Sequence, residues 1–520
     1  MQNLADIVLA NPMAAPSAPA LADAHERIDY ATLAARVRAL AQFLTQLVTQ
    51  HPAQNPAPDA TRVAVLLPDC CAFIEVLLGC AAAGSLCVPL NTRLLAEEQC
   101  EILQDAEPSI LFVHARYADR IAVLRAGLPT LRTVVLVGAA DVDGAVGPDM
   151  LDYAVLRQAG AGRMQQAPLP AVSAQTDVLM LYTSGTTSHA KGAPLTHANV
   201  LANLQQYQAA VCLAPGGVNL QLSPMFHAAG IFCLVHLMRG GLTVFVPRVD
   251  PVLILDAIAR ERVTFMFTVP TVLYQLLDHP MRADADFSTL QHVQYGAAPI
   301  TGTRLAQAVA VFGARLMHSY GMTETTSHVS ILGGQDHVRK SGSVGRALPG
   351  IALRIVDADG RDVATGEAGE VLVRGANVFA GYWRRPRETR EVFRDGWLCT
   401  GDIGRMDDEG FLTIIDRKKD MIISGGTNIY PVDIEDALTR HPSIAEAAVF
   451  GVADAVWGEA VAAAIVLRAG TAFDQDALEA HLRRSLAGYK IPRRWRVLDA
   501  LPKNASGKIL KRTLRAQFFS

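Results

Sequence analysis

The chain has no Cys-x-x-Cys pair, no basic amino-terminal segment, no long unbroken apolar run and no marked excess of either charge. Its eight cysteines, most of them between Cys70 and Cys100 in apolar surroundings, are expected to be buried free thiols of a reducing compartment, with neither disulfides nor a zinc site. A formal net charge of -3 and a pI near 6.5 exclude a broad electrostatic footprint for nucleic acid, so any anion site must be local. The longest apolar stretches, such as 228–247, are broken by His236, Arg239 and the paired Gly240-Gly241, which argues against a membrane-spanning helix. The expectation is a cytoplasmic protein. Lysine is also scarce, occurring only at 191, 340, 418, 419, 490, 503, 508 and 511. Against a background of arginine, a lysine inside a glycine-rich loop points to a need for a compact ammonium rather than a planar fork.

What is present is ample core material. Half the residues are apolar, and 520 residues exceed what one core organises, so two or more domains are expected. From about residue 28 to 320 short apolar runs alternate with helical patterns: strands at 62–68, 86–90, 110–113, 133–137, 242–246, 263–269 and 293–295, with helices at 72–83 and 94–105. This alternation predicts βαβ units and mostly parallel sheets, with functional loops at the carboxyl ends of strands. Residues 342–417 change character, with β-rich runs at 352–356, 370–374 and 411–415 between Asp-Gly and Glu-Gly turns, and predict antiparallel sheet. Beyond 417 a small mixed unit follows, with helices at 431–440 and 474–486, strands at 447–452 and 460–467, and a last helix from Lys508. The Pro- and Ala-rich stretch 51–60 reads as a linker-like insert. The expected class is α/β: a large N-terminal domain (1–417) of mostly parallel sheets flanked by helices plus a β-rich subdomain, and a small mobile α+β C-terminal domain (418–520).

The most informative stretch is 181–192, Leu-Tyr-Thr-Ser-Gly-Thr-Thr-Ser-His-Ala-Lys-Gly, which leaves the apolar run Val178 to Leu181. Bare backbone N–H groups around Gly185, hydroxyls on Thr183, Ser184, Thr186 and Thr187, and the ammonium of Lys191 together suit a polyphosphate. A P-loop is excluded, because Ala190 and Gly192 stand where that motif needs Gly before the Lys and a hydroxyl after it.

This loop resembles the first signature of the acyl-adenylate-forming superfamily, the AMP-forming acyl-CoA ligases and their relatives among luciferases and peptide-synthetase adenylation domains. It departs from that signature at Ser188, where Gly is usual, and at Ala190, where Pro is usual. The family's other elements follow in order across nearly the whole chain. Met225-Phe226-His227 resembles the aromatic-His element beside the acyl pocket, and Tyr295-Gly296-Ala297-Ala298-Pro299 the turn along the adenine. Tyr320-Gly321-Met322-Thr323-Glu324 resembles the element in which the ring stacks near adenine, the Thr touches the α-phosphate and the Glu holds Mg²⁺. Thr400-Gly401-Asp402 resembles the segment whose carboxylate accepts the ribose hydroxyls. In Asp416-Arg417-Lys418-Lys419-Asp420, similar to the interdomain hinge, the resemblance makes Arg417 a nucleotide contact and Lys419 the pivot. Gly425 and Gly426 resemble the loop that enters for thioester formation, and Lys508 the terminal catalytic lysine. Taken singly, each element has a bland reading: a lone His in apolar sequence is usually core, and Thr-Gly-Asp is a common turn. Their joint order carries the assignment.

The resemblance implies ATP, Mg²⁺ on Glu324 and coenzyme A as cofactors, with a small carboxylate as substrate. Catalytic roles fall to Lys508, His227, Thr323 and Glu324. The acid becomes an acyl-AMP with release of pyrophosphate, and a thiol then displaces AMP. Tyr489-Lys490-Ile491-Pro492 resembles the CoA-using branch, and no carrier domain follows, so CoA is favoured over a carrier protein. Ala228-Ala229-Gly230 and Ala297-Ala298 point to an open pocket for a fatty or aryl monoacid. Thr186-Thr187-Ser188-His189 also resembles the oxalate-CoA ligase branch, which keeps a small diacid as the alternative. A luciferase-like oxygenase and a non-catalytic nucleotide- or acyl-binding protein of the same fold are further alternatives, the latter opposed by Glu324, Asp402, Arg417 and Lys508. Nucleic acid and an integral membrane segment are not expected as partners, and a homodimer is left open.

Overall fold

The computed structural model describes residues 1–50, 61–139, 150–159, 168–183, 190–298, 300, 302–418, 420–424, 427–454, 458–503 and 509–518. The chain is α/β, as the alternation of runs predicts. A seven-stranded sheet runs in the order Met150–Asp152, Thr133–Val137, Ile110–His114, Arg62–Leu66, Leu86–Pro89, Asp177–Thr183, Lys191–Thr196. Its pairs are parallel except the last, where Asp177–Thr183 turns back on Lys191–Thr196. A nine-stranded sheet has at its centre the parallel strands His292–Gly296, Phe265–Thr268, Val218–Gln221 and Leu242–Phe245, with Leu316–Tyr320 beside them. Strands buried on both faces read as continuous apolar runs, which is why Thr133–Val137 and Leu242–Phe245 were visible without periodicity.

Between the sheets lies helix Cys71–Ala83, apolar on every side and buried along nearly its whole length. It packs on helix Tyr30–Gln50 at Gly79, where an added Cβ would lie 2.6 Å from the Leu40 side chain. Its one charge, Glu75, is fully buried and held by Arg36 at 2.8 Å, Arg157 at 2.8 Å and the Tyr153 hydroxyl at 2.6 Å. Breaking such a set would strand a buried carboxylate at a cost of about 3–5 kcal/mol. One core joins Val63, Phe112 and Leu179 of the first sheet to Phe265 and Phe267 of the second and Phe232 of the helix Phe232–Met238.

Residues 342–417 form the expected antiparallel sheet, built from Ala352–Val356, Gly369–Arg374, Trp397–Met406, Leu412–Arg417 and the short Phe393–Arg394. The last sheet comprises Thr427–Ile429, Ile422–Ser424, Gly458–Leu467, Ile444–Asp454 and Arg494–Val497. Its two cores draw only on residues from Ile422 onward, such as Ile434, Ile465 and Leu478 on one face and Phe450, Ala462 and Leu514 on the other.

Several expectations need correction. The expected strand 263–269 is Phe265–Thr268, since Pro270 opens the next helix. The last helix starts at Lys511, not Lys508, because Ile509 bridges Lys503 and the Leu510 N–H donates to the Pro502 carbonyl at 2.8 Å, holding this stretch extended. All eight cysteines are free, but only Cys71, Cys80, Cys87 and Cys233 are buried; Cys70, Cys100 and Cys399 are half-buried and Cys212 is exposed. The insert at 51–60 lies outside the described residues. Among the described residues no helix is long and apolar enough to cross a membrane.

Candidate active site

The carboxyl ends of the central strands place the motif residues together. Strand Asp177–Thr183 delivers Thr183, which pairs with Lys191 at the start of the return strand. The two residues therefore flank the neck of the glycine-rich loop, whose Ser184, Gly185, Thr186 and Thr187 lie outside the described residues. The Lys191 ammonium sits 5.2 Å from the centroid of the Tyr382 ring, within cation–π range.

Strand His292–Gly296 ends in the turn that holds Ala297 and Ala298. An added Cβ at Gly296 would come within 2.7 Å of the Ser319 carbonyl on the paired strand, so only glycine fits there. The next residue, Ala297, is held at φ 67, a left-handed conformation that costs an alanine about 1–2 kcal/mol. Ala298 follows it. Strand Leu316–Tyr320 then delivers Tyr320, and Gly321 makes the closest approach: a Cβ there would lie 1.7 Å from the Ser327 carbonyl.

Thr323 and Glu324 occupy a short 3-10 turn, Thr323–Thr325, with Glu324 buried. The Tyr382 hydroxyl donates to Glu324 Oε1 at 2.6 Å. Tyr382 is itself positioned by a clamp, since the Phe379 N–H donates to the Glu324 carbonyl at 2.9 Å and Asn377 Nδ2 to the Thr325 carbonyl at 2.9 Å. Asn199 Nδ2 holds the same segment from helix His197–Val211, donating to Ala376 O at 2.8 Å and Val378 O at 3.0 Å. Trp383 next door donates from Nε1 to Asp105 O at 3.1 Å, while the Asp105 carboxylate accepts from Tyr182 at 2.8 Å and pairs with Arg385 at 2.5 Å.

Asp402 is buried in strand Trp397–Met406 opposite Arg417 of strand Leu412–Arg417. Arg417 Nε lies 2.6 Å from its Oδ1, and the Tyr320 hydroxyl donates to its Oδ2 at 2.5 Å. Burial, then the neighbouring carboxylate, holds the Tyr320 phenol well above its ordinary range, and burial, then Glu324, does the same for Tyr382. Both stay protonated donors. His227 precedes the short turn Ala228–Ile231; burial, then Arg93, lowers its imidazole to about 4, so it is neutral near pH 7, and its Nε2 has no hydrogen-bond partner among the described residues. The backbone N–H of Met225 donates to Asp69 at 2.8 Å, fixing this segment to the end of the first strand unit.

The structure thus forms two sets, Lys191 and Glu324 sharing Tyr382, and Tyr320 and Arg417 meeting on Asp402. Lys419, Gly425, Gly426 and Lys508 lie outside the described residues. Around position 419 the Asp420 and Met421 N–H groups donate to Arg417 O at 2.9 and 3.0 Å, and the Val432 N–H donates to Asp416 Oδ2 at 3.3 Å. Lys418 pairs with Glu370 at 2.8 Å on one side; on the other, Lys511 pairs with Glu435 at 2.8 Å and Arg515 with Asp420 at 3.3 Å. Sequence reasoning missed Tyr382 and Asp105. The signal for Tyr382 was the doublet Tyr382-Trp383 behind Gly381, in a chain only 6% aromatic.

Comparisons agree with this geometry. The family model described as AMP-binding enzyme matches residues 10–383, and that of the AMP-binding enzyme C-terminal domain matches 433–508. A feruloyl-CoA synthase of Amycolatopsis is 36% identical over 505 residues, covering 97% of this chain and 96% of the relative. An indoleacetate–CoA ligase of Aromatoleum aromaticum is 37% identical over 444 residues, 85% of each. Among solved structures, ATP-bound MatB from Rhodopseudomonas palustris superposes with a TM-score of 0.87 at 31% identity over 99% of both chains. The o-succinylbenzoate CoA synthetase of Bacillus subtilis, in complex with its acyl-adenylate, gives 0.83 at 28% identity over 98% of both. With two family models on its two parts and the motif residues gathered at the strand ends, the chain belongs to the AMP-binding enzymes, as an AMP-forming acyl-CoA synthetase of the adenylate-forming superfamily.

Proposed function

We propose that the chain joins a fatty or aryl monocarboxylate to coenzyme A in two half-reactions, with Asp402 holding the ribose of ATP. The observation that carries the reading is the meeting of Tyr320, Asp402 and Arg417, from three separate segments, on one buried carboxylate. Each carboxylate oxygen retains a lone pair after these contacts, so the group can accept a ribose hydroxyl on each side. The names of the feruloyl and indoleacetate relatives favour an aryl acid, and those of fatty-acid–CoA ligases a fatty one.

In the first half-reaction a substrate carboxylate oxygen bonds to the α-phosphorus of ATP, and the P–O bond to the β-phosphate breaks with pyrophosphate leaving. Charge gathers on the α-phosphate, where Thr323, Lys191 and the 183–187 loop supply fixed donors, joined by Lys508 from the last unit. Glu324 fits a magnesium ion: it is a buried, oxygen-only donor whose carboxylate has one described hydrogen bond, from a phenol. When bound, Mg²⁺ would neutralise polyphosphate charge. The neutral His227 forms an uncharged wall that neither repels the carboxylate nor draws it from the phosphate. In the second half-reaction the thiol sulfur bonds to the acyl carbon, the C–O bond to phosphate breaks, and AMP leaves. We assign residues 1–417 and 418–520 to separate domains that turn about Lys419, presenting Lys508 for the first step and the loop of Gly425 and Gly426 for the second.

The test is product analysis with Mg-ATP, CoA and a panel of acids. Stoichiometric AMP, pyrophosphate and acyl-CoA are expected; ADP formation would refute adenylation, and acyl-AMP that accumulates whether or not CoA is present would refute CoA as the acceptor. Lys508→Ala should slow acyl-AMP formation by about 10²–10³-fold and largely spare thioester formation from presynthesised acyl-AMP.

A further inference from the structure

Asp105 stands where its own helix disfavours it. It lies in the last turn of helix Ala96–Ala106, where the unpaired carbonyls of the helix end repel a carboxylate and a basic residue would be favoured. What holds it comes from far along the chain. Its Oδ2 accepts from the Tyr182 hydroxyl at 2.8 Å, its Oδ1 takes the Arg385 guanidinium at 2.5 Å, and its backbone carbonyl accepts from Trp383 Nε1 at 3.1 Å. Glu107, which ends the helix at φ 48, reaches the same segment by pairing with Arg384 at 2.8 Å. The helix end is thus shaped to dock on Tyr182 and on residues 383–385 at once.

Both partners adjoin the groups that would meet the polyphosphate. Tyr182 immediately precedes Thr183 and pairs in the sheet with Gly192, the neighbour of Lys191. The Gly192 carbonyl accepts from the Trp383 N–H at 2.8 Å, and an added Cβ there would lie 3.1 Å from the Tyr182 ring, so the two segments touch at this point. Tyr382, one residue before Trp383, donates to Glu324 at 2.6 Å, and its ring centroid is 5.2 Å from the Lys191 ammonium. Asp105 therefore has one oxygen on strand Asp177–Thr183, which leads into the glycine-rich loop, and the other on the segment that carries Tyr382. Burial, then Asp105, holds the Tyr182 phenol well above its ordinary range, so it stays a donor through neutral pH.

We infer that Asp105 is a positioning residue for the polyphosphate end of the nucleotide, an assignment that rests on the adenylation proposed above. By holding Tyr182 and Arg385 together it fixes where Lys191 stands relative to Glu324, with Tyr382 as the spacer between them. An amide in place of the carboxylate loses the charge that holds Arg385 and keeps only one oxygen to accept with, so the strand end and the Tyr382 segment can part. A misplacement of about 1 Å costs about 10²-fold in a reaction that depends on orientation. The loss falls on ligands that carry β- and γ-phosphates and spares those that lack them.

The experiment titrates MgATP and AMP calorimetrically into the unaltered protein, Asp105→Asn and the gentler Tyr182→Phe, which removes one tie and leaves Asp105 paired with Arg385. ATP–pyrophosphate exchange is measured alongside. In each variant MgATP affinity should fall by about tenfold or more while AMP affinity holds, and KM for pyrophosphate should rise with KM for the acid unchanged. Because both substitutions cut the same tie, the double variant should lose far less than the product of the two single losses. Thioester formation from presynthesised acyl-AMP, which carries no β-phosphate, should be spared. A substitution that only loosens the fold weakens MgATP and AMP equally, and that result overturns the positioning role. So do independent, multiplying losses in the double variant, and an Asp105→Asn protein that binds MgATP as the unaltered one does. Failure of the adenylation reading shows differently, as an unaltered protein that binds neither nucleotide or releases no AMP with any of a broad panel of acids, and it takes the assignment of Asp105 with it.

Discussion

Replacing Asp402 by alanine removes the carboxylate on which the nucleotide assignment turns. Two ribose hydroxyls donating to a charged, buried acceptor contribute about 1.5–3 kcal/mol each, so the pair is worth about 3–6 kcal/mol, or about 10²–10⁴-fold in ATP affinity. Two other effects accompany the change. Arg417 loses its partner, but its side chain is 35% exposed and re-solvates, so the broken pair itself counts for little. The Tyr320 hydroxyl is left without its acceptor in a buried site, which lowers stability by about 1–3 kcal/mol. Fold damage is separated from recognition by titrating ATP and 2′,3′-dideoxy-ATP calorimetrically into both proteins, well below the melting temperature of either. The unaltered protein should bind dideoxy-ATP about as poorly as the alanine variant binds ATP, and the variant should not distinguish the two nucleotides. A variant that still prefers ATP by the original factor would refute the assignment of the ribose to Asp402.

Lys419→Pro, which fixes φ near -65° and restricts Lys418 as well, should leave ATP–pyrophosphate exchange near normal and abolish transfer to CoA, while Lys419→Ala impairs both only mildly; a folded proline variant making acyl-CoA at the usual rate rules out rotation there. Gly321→Ala places a Cβ 1.7 Å from the Ser327 carbonyl, so its thermal midpoint should fall, reflecting at least about 1–3 kcal/mol of forced backbone shift, with adenylation lost; an unchanged melt and activity would contradict the close approach. Burial lowers His197, His227, His318 and His337 to about 4 and His236 and His328 to about 3. Folded values below the unfolded one near 6.5 mean that these six contribute stability fully present above pH 6.5 and lost as pH falls towards 4. Asp69 and Asp416, raised to about 6, act in the opposite sense but are two against six. The urea midpoint should therefore drop between pH 7.5 and 5, and a flat profile would show that these imidazoles are not buried.

How much of this was legible depended on where each residue's environment comes from. Strands Thr133–Val137 and Ala352–Val356 are bounded by their own sequence, so composition and turn residues sufficed to place them. The sites of Glu324 and Asp402 were legible because a motif travels with its local backbone, here the 3-10 turn after Gly321 and the Thr400-Gly401-Asp402 segment. Tyr382 was not, because its position is set by Asn199 and Asn377 from segments distant in sequence or in the far side of a loop. The partners of Asp105 were hidden for the same reason: Tyr182, Trp383 and Arg385 reach it across as many as 280 residues. The start of the last helix was misjudged because the bridge from Lys503 to Ile509 is a strand-type pairing that no helical pattern reports.

The contacts around position 419 set what a rotation there would have to break. Among the described residues the ion pairs Lys418–Glu370, Lys511–Glu435 and Arg515–Asp420 each stay on one side of that position, whereas the contacts across it include a pair of turn hydrogen bonds, the 3.3 Å contact from Val432 to Asp416 and the attraction between Lys511 and Asp416. A rotation about 419 would leave those ion pairs whole while giving up the long hydrogen bond, worth about 0.5–1.5 kcal/mol, and the attraction of Lys511 for Asp416. Differential binding of about 5.5 kcal/mol inverts a two-state ratio from 1:99 to 99:1, and a triphosphate or a thiol substrate commands energies of that order. Direction in such a cycle would come from whichever ligand is on board, set against the hold of Lys511 on Asp416.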